Sequence, residues 1–172
     1  MRKTIMSVAA LAALGMLGVL SAAAMAHDAA RSSATVSLHK TNLGTVLVSS
    51  SGRTLYLFKK DVNGKSACSG ACATFWPPLV SHGKATAGTG VKVSLLGTTR
   101  RSNGTRQVTY NKHPLYTFKL DKAAGQTNGE GTLAYGAKWY AVSAKGTAVV
   151  AATPPVTTTG TTTTMPYPDP YP

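Results

Sequence analysis

The sequence predicts a mostly β fold: an antiparallel, pseudo-twofold repeat domain built of hairpins, with one short helix between Cys68 and Phe75. Three observations predict it. LYLFKKD at residues 55–61 returns as LYTFKLD at residues 115–121, sixty positions later and in register. Both copies close on a tryptophan segment, Trp76-Pro-Pro-Leu-Val-Ser and Trp139-Tyr-Ala-Val-Ser. Between these landmarks, short β-branched and aromatic runs alternate with Gly, Asn and Asp turn signals, the pattern of hairpins. A period of this size marks a repeated supersecondary unit, and two copies share one core.

The ends are set apart from this domain. Residues 1–26 read as a signal peptide: Arg2 and Lys3, an uncharged apolar run, then Ala24-Met25-Ala26 as the cleavage site. The run is short for a membrane span. No cysteine follows Ala26 closely, so no lipid attaches there, and a soluble exported product is expected. Residues 27–42 are polar and small, a flexible lead-in. Residues 43–152 form the β domain, with repeat one at about 43–81 and repeat two at about 103–143. Residues 153–172, rich in Thr and Pro, form no ladder or core and are expected to be a disordered tail.

Within the domain, residues 45–48 and 54–58 are strands joined by a turn at 49–52. Tyr56 and Phe58 share one face of the second strand and Leu55 and Leu57 the other, so it is central and covered on both sides. Asp61-Val62-Asn63-Gly64 is a turn in which Asp bonds the downstream backbone and Asn-Gly accepts positive φ. A helix over 66–75 takes Ser66 as N-cap and stops at Pro77-Pro78, leaving Trp76 as a core anchor. Residues 82–90 are a loop and 91–95 a strand. Residues 98–101 and 105–110 form a hairpin around Asn103-Gly104, expected as a type I′ turn. A turn at 111–114 leads into the second aromatic strand, 115–119. Asp121 opens a turn like that of Asp61. A polar loop spans 125–131, residues 138–143 form the last strand, and 147–152 add an edge strand.

The chain has 18 Lys and Arg against 5 Asp and Glu, a net charge of +13. Removal of Arg2 and Lys3 leaves 16 against 5, or +11. Such a surplus attracts polyanions, pointing to anionic cell-wall polymers or lipid headgroups as partners. The basic residues are scattered, apart from Lys59, Lys60 and Lys65, and Arg100, Arg101 and Arg106. No base-reading helix is apparent and the product is exported, so nucleic acid is not an expected partner.

Few residues offer chemistry. Cys68 and Cys72 are the only cysteines, and an even count in an exported chain favours a disulfide. On one helix they would share a face, about 6 Å apart at Cα. The competing readings are a thiolate pair for a soft metal such as Cu(I), completed by His82 or a Met, and thiol exchange. Asp61 and Asp121 serve as turn caps, or as an acid and base pair of a hydrolase if the repeat axis brings them within about 10 Å. A calcium loop at Asp61 lacks its later acidic ligands. Tyr56, Phe58, Tyr116 and Phe118 fit a core better than a ligand groove. No nucleophile elbow, zinc-protease, phosphate-loop or dinucleotide motif is present.

The two Y-x-F-x-x-D blocks, the CSGACATFWPPL element and VTYNKHPLYTF together resemble a bacterial secreted-repeat family of unknown function, whose members are described as predicted lipoproteins with a Y-x-(F/W/Y)-x-x-D motif. The resemblance covers about residues 43–143. It implies the repeat fold and assigns no catalytic residue. Nothing here accounts for the association of some members with alkane catabolism, and the lipid-bearing cysteine is missing. Tyr56, Phe58, Trp76, Tyr116, Phe118 and Trp139 are therefore expected in the core, Asp61 and Asp121 as caps, and Cys68 and Cys72 as a staple. The expected function is a non-enzymatic envelope module without a cofactor, held by anionic surface polymers. A redox or copper module and a hydrolase are the alternatives.

Overall fold

The structure, a computed structural model, describes residues 33–150. The signal peptide, the start of the lead-in, the end of the proposed edge strand and the Thr/Pro tail lie outside the described residues.

The first strand falls where a flexible lead-in was expected. Strand β1 (Thr35–Thr41) pairs antiparallel with β2 (Gly44–Ser49), from Val36 opposite Ser49 to Thr41 opposite Gly44. Val36 is fully buried, and that anchor outweighs the polar residues that make the stretch look like a lead-in. The chain then returns through a tight turn, with Ser49 N donating to Arg53 O at 2.8 Å. The expected hairpin of residues 45–48 with 54–58 is reduced to a Val48–Thr54 bridge and a Leu55 N to Leu47 O bond. Strand β3 (Tyr56–Phe58) finds its main partner much later in the chain.

Helix α1 (Ala71–Phe75) begins at Gly70, whose φ of 56° suits glycine. Ser66 does not cap it; no side chain does. The turn before it behaves as expected, with Asn63 and Gly64 both at positive φ. Strand β4 (Thr86–Ala87) adds to β1 in parallel. The strand expected at 91–95 is instead a 3₁₀ turn at Val93–Leu95. Val93 is 64% exposed, so it lacks the packing that would hold it in a sheet.

Strands β5 (Leu96–Arg100) and β6 (Arg106–Tyr110) form the second hairpin, with Arg100 opposite Arg106. Its turn is not type I′. Gly104 alone has positive φ, Gly104 N donates to Arg101 O, and Arg101 N donates to Thr105 O, the three-residue form with a glycine bulge. The two-residue loop with both φ values positive is Asn111-Lys112, between β6 and β7 (His113–Pro114). Asparagine tolerates that conformation; lysine bears some strain there.

The second aromatic segment is held by bridges more than by a regular ladder. Tyr116 pairs with Tyr56 and Pro78, Thr117 N donates to Pro77 O, and Lys119 N to Phe75 O. Pro77 and Pro78 have no N–H to return, which explains the gaps. Strand β8 (Leu133–Ala134) turns into β9 (Ala137–Ala141), which pairs with β3, Phe58 facing Trp139 and Tyr56 facing Ala141. The edge strand is short within the described residues: a Val142–Ala148 bridge with Ser143 N donating to Thr147 O and Val149 N to Ala141 O.

The pairing crosses between repeats. The aromatic strand of repeat one lies against the tryptophan segment of repeat two, and the converse. The bonds repeat in kind: Leu47 N to Val142 O matches Val108 N to Leu79 O, and Val142 N to Leu55 O matches Leu79 N to Leu115 O. Tyr56 and Tyr116 exchange both backbone bonds, at 2.8 and 3.0 Å, and so sit on the pseudo-twofold axis.

The expected split of faces holds. Leu55, Leu57 and Leu115 enter one core cluster; Tyr56, Phe58, Tyr116 and Phe118 enter the other. There, Phe58, Trp139, Trp76 and Phe118 form a column of four rings with successive centroids 4.0, 3.9 and 4.2 Å apart. Tyr116 and Tyr56 pack edge-on against Trp139 and Trp76. Each buried indole contributes about 5 kcal/mol of gross hydrophobic stabilisation.

Candidate functional site

The motif residues build a matched pair of crossed hydrogen bonds. Tyr56 reaches the aspartate of the other repeat, its hydroxyl donating to Asp121 Oδ2 at 2.7 Å. Tyr116 reaches back, its hydroxyl donating to Asp61 Oδ2 at 2.8 Å. The second oxygen of each carboxylate caps its own loop: Asp61 Oδ1 accepts Ala67 N–H at 2.7 Å, and Asp121 Oδ1 accepts Asn128 N–H at 2.9 Å. Each aspartate thus ends a β-turn, orders the next loop and ties that loop to the other half.

The surroundings of the two carboxylates differ. Beside Asp61, Ser66 Oγ meets the Tyr116 hydroxyl at 2.8 Å and Arg101 Nη1 at 2.7 Å. Arg101 also donates to Cys68 O and to Gln107 Oε1, both at 2.6 Å. Gln107, fully buried, passes the connection on through Nε2 to Leu115 O. Beside Asp121, Arg53 donates to the Asp121 carbonyl, and Gly129 N–H donates to the Tyr56 hydroxyl at 3.3 Å. Gly129 lies so close to Trp76 and Tyr56 that a Cβ would stand 2.8 and 2.9 Å from their rings.

Burial pushes the Asp61 carboxyl up to about 6, against the Ala67 N–H, the Tyr116 hydroxyl and Arg101. Asp121, 0% exposed, is raised by the same cause and opposed by Tyr56, Asn128 and Arg53. Glu130 follows, raised by burial and opposed by the Ala141 N–H it accepts at 2.7 Å. Both tyrosines are raised, first by burial and then by their carboxylate partners. They act as neutral donors.

Cys68 and Cys72 are joined by a disulfide with Cα atoms 5.3 Å apart. Cys68 precedes the helix, so the bridge pins the incoming segment to α1 and does not span one helical turn as expected. With both sulfurs bonded to each other, the thiolate–His82 metal set is not formed; His82 stands exposed in the following loop. The four motif aromatics are core. Asp61 and Asp121 share no partner. Asp61 holds Tyr116 and Ala67, and Asp121 holds Tyr56 and Asn128.

The repeat does not single out Arg53, Arg101, Gln107 or Glu130, because the two copies do not share them. The one available signal is scarcity: in a domain with three acids, Glu130 needs an assignment.

A family model described as a secreted repeat of unknown function matches residues 37–80 and 97–143. No curated protein and no solved structure matches the chain.

Proposed function

Because the chain belongs to the family of secreted repeats of unknown function, we propose that it is an exported, non-enzymatic cell-envelope module retained by anionic surface polymers. One observation carries this reading. Residues 33–150 contain fifteen Lys and Arg and three acids, and each acid is held by an internal partner: Asp121 is buried, Asp61 and Glu130 half-buried. Asp61 and Asp121 are bonded to tyrosine hydroxyls, and Glu130 accepts a backbone N–H. Thirteen of the fifteen cations are exposed; only Arg53 and Arg101 are half-buried and bonded to loop carbonyls.

The exposed charged side chains are therefore predominantly cationic, which favours association with polyanions that salt weakens. The interior supports a structural role for the motif, since each motif carboxylate already has its partners. Among the described residues, no helix is long and apolar enough to cross a membrane.

The test is co-sedimentation of the mature protein with cell walls across a salt series. Retention should fall steeply between about 0.1 and 1 M salt, as the Debye length shrinks from about 10 to 3 Å. Absent retention, or retention indifferent to salt, would overturn the proposal.

A further inference from the structure

Duplication makes the two ends of the domain equivalent in backbone but not in charge. At the Asp61 end, Lys59 N donates to Lys138 O at 3.0 Å; at the Asp121 end, the matching bond runs from Lys119 N to Phe75 O at 2.9 Å. Lys60 corresponds to Leu120, and its Nζ stands 3.4 Å from Tyr135 O. Gly64 approaches the Lys112 carbonyl, whereas Ala124 approaches Gly52 at the matching place. Lys65 corresponds to Gly125 in the sixty-residue register. The Asp61 end thus gathers Lys59, Lys60, Lys65, Lys112 and Lys138, all exposed. Its pseudo-equivalent carries Lys119 and Lys122, with Lys40 next to the His39 that meets Gly125, as exposed cations. Asp61, the acid of the crowded end, is occupied by Tyr116 and Ala67.

We propose that this five-lysine face is the docking surface for the anionic polymer, and that the polymer is a linear chain of regularly spaced phosphate groups. The proposal rests on the retention reading above and assigns it a place and a ligand chemistry. The five exposed cations are lysines, flexible point charges that suit phosphate oxygens in many orientations, while Arg101 at this end is half-buried and taken up by Ser66, Cys68 and Gln107. Lys59, just past the end of β3, is hydrogen-bonded to Lys138 on β9, about 5 Å apart at the backbone. A strand of regularly spaced charges can therefore engage several lysines at once. Val62 and Leu133 are also exposed beside this end. They stand singly, as scattered apolar residues ordinarily do, while the lysines are grouped, and this favours a polymer over a bilayer.

The experiment uses the mature protein and inorganic polyphosphate as the probe, with anionic and neutral phospholipid vesicles as the second arm. K59Q/K60Q/K138Q is compared with K40Q/K84Q/K122Q, an equal loss of charge elsewhere on the surface. The face variant should lose at least about tenfold in polyphosphate affinity near 0.1 M salt. Its log–log salt slope should fall by about 2, at roughly 0.7 for each phosphate of a flexible strand that is no longer neutralised. The control should lose less than about threefold, and both variants should keep the wild-type melting curve. Equal losses in the two variants would overturn the docking face while leaving general charge retention intact. Binding to anionic vesicles that V62S/L133S abolishes, with no binding to polyphosphate, would overturn the polymer in favour of a membrane surface. Failure of the wild type to bind polyphosphate, vesicles and cell walls would remove both this proposal and the retention reading.

Discussion

Replacing Tyr56 with Phe removes one oxygen from the most enclosed part of the crossed pair. That oxygen donates to Asp121 Oδ2 at 2.7 Å and accepts Gly129 N–H at 3.3 Å. Asp121 is 0% exposed, so water cannot readily take the vacated position. A hydrogen bond to a charged group is worth about 1.5–3 kcal/mol, and a buried group left unpaired costs in the same range. The loss should be about 2–3 kcal/mol, or roughly 6–12 °C in Tm for a domain of this size. Tyr116→Phe removes the matching oxygen beside Asp61, which is only half-buried and open to substitution by water; about 1–1.5 kcal/mol is expected. The assay is urea unfolding of both variants, with Asp121→Asn and the Tyr56→Phe/Asp121→Asn pair completing a double-mutant cycle. A coupling of about 1–2 kcal/mol is expected between Tyr56 and Asp121. A Tyr56→Phe cost below about 0.5 kcal/mol, or strictly additive losses, would refute the claim that the crossed bonds join the halves.

The Asp61 carboxyl, raised to about 6 in the fold against about 3.9 unfolded, binds its proton more tightly when folded. Its contribution to stability is therefore full below about pH 4 and lost as pH rises through about 6. Wild type should gain more, or lose less, than Asp61→Asn on moving from pH 7 to pH 5; melting curves at the two pH values that shift in parallel would count against this. Reducing the Cys68–Cys72 bridge opens a five-residue loop and should cost about 2 kcal/mol by the chain-entropy relation, measurable as a lower urea midpoint with the sheet signal retained. Gly129→Ala forces a Cβ into the Trp76 and Tyr56 rings and should cost about 1–3 kcal/mol. Gly131→Ala, in open space but at φ 69°, meets backbone strain alone and should cost about 1 kcal/mol; a Gly129→Ala cost below about 0.5 kcal/mol in calorimetry would contradict the packing.

What the sequence makes legible is what the repeat writes twice. Tyr56, Phe58, Tyr116 and Phe118 announce their faces through strict alternation, and the structure divides them from Leu55, Leu57 and Leu115 in that way. Strand β1 is hard to see because the alternation of Val36, Ser37, Leu38 and His39 is brief, and Lys40 stands where the next apolar residue would fall. The Asn103-Gly104 turn departs from expectation because one glycine suits both hairpin forms, and loop length decides between them. The swap of partners between tyrosines and aspartates cannot be read from spacing. A motif repeated in register gives the distance along the chain from Tyr to Asp, five residues in each copy, and says nothing about which copy supplies the partner. Arg101 and Gln107 are invisible for a related reason: they lie far along the chain from the Asp61 turn they brace.

The exchange of strands between the halves has a consequence for how this chain can be divided. Severed in the segment 88–92, it would yield two pieces, each holding an unpaired aromatic strand and half of the ring column, and neither should fold by itself. Mixed, the pieces carry the complementary edges and should reassemble with recovery of the native tryptophan emission. In the intact chain, the covalent link would then act as a tether that keeps the pieces at about millimolar effective concentration, while the pairing itself is written in both. An ancestral single copy would have met the same requirement by associating with its twin.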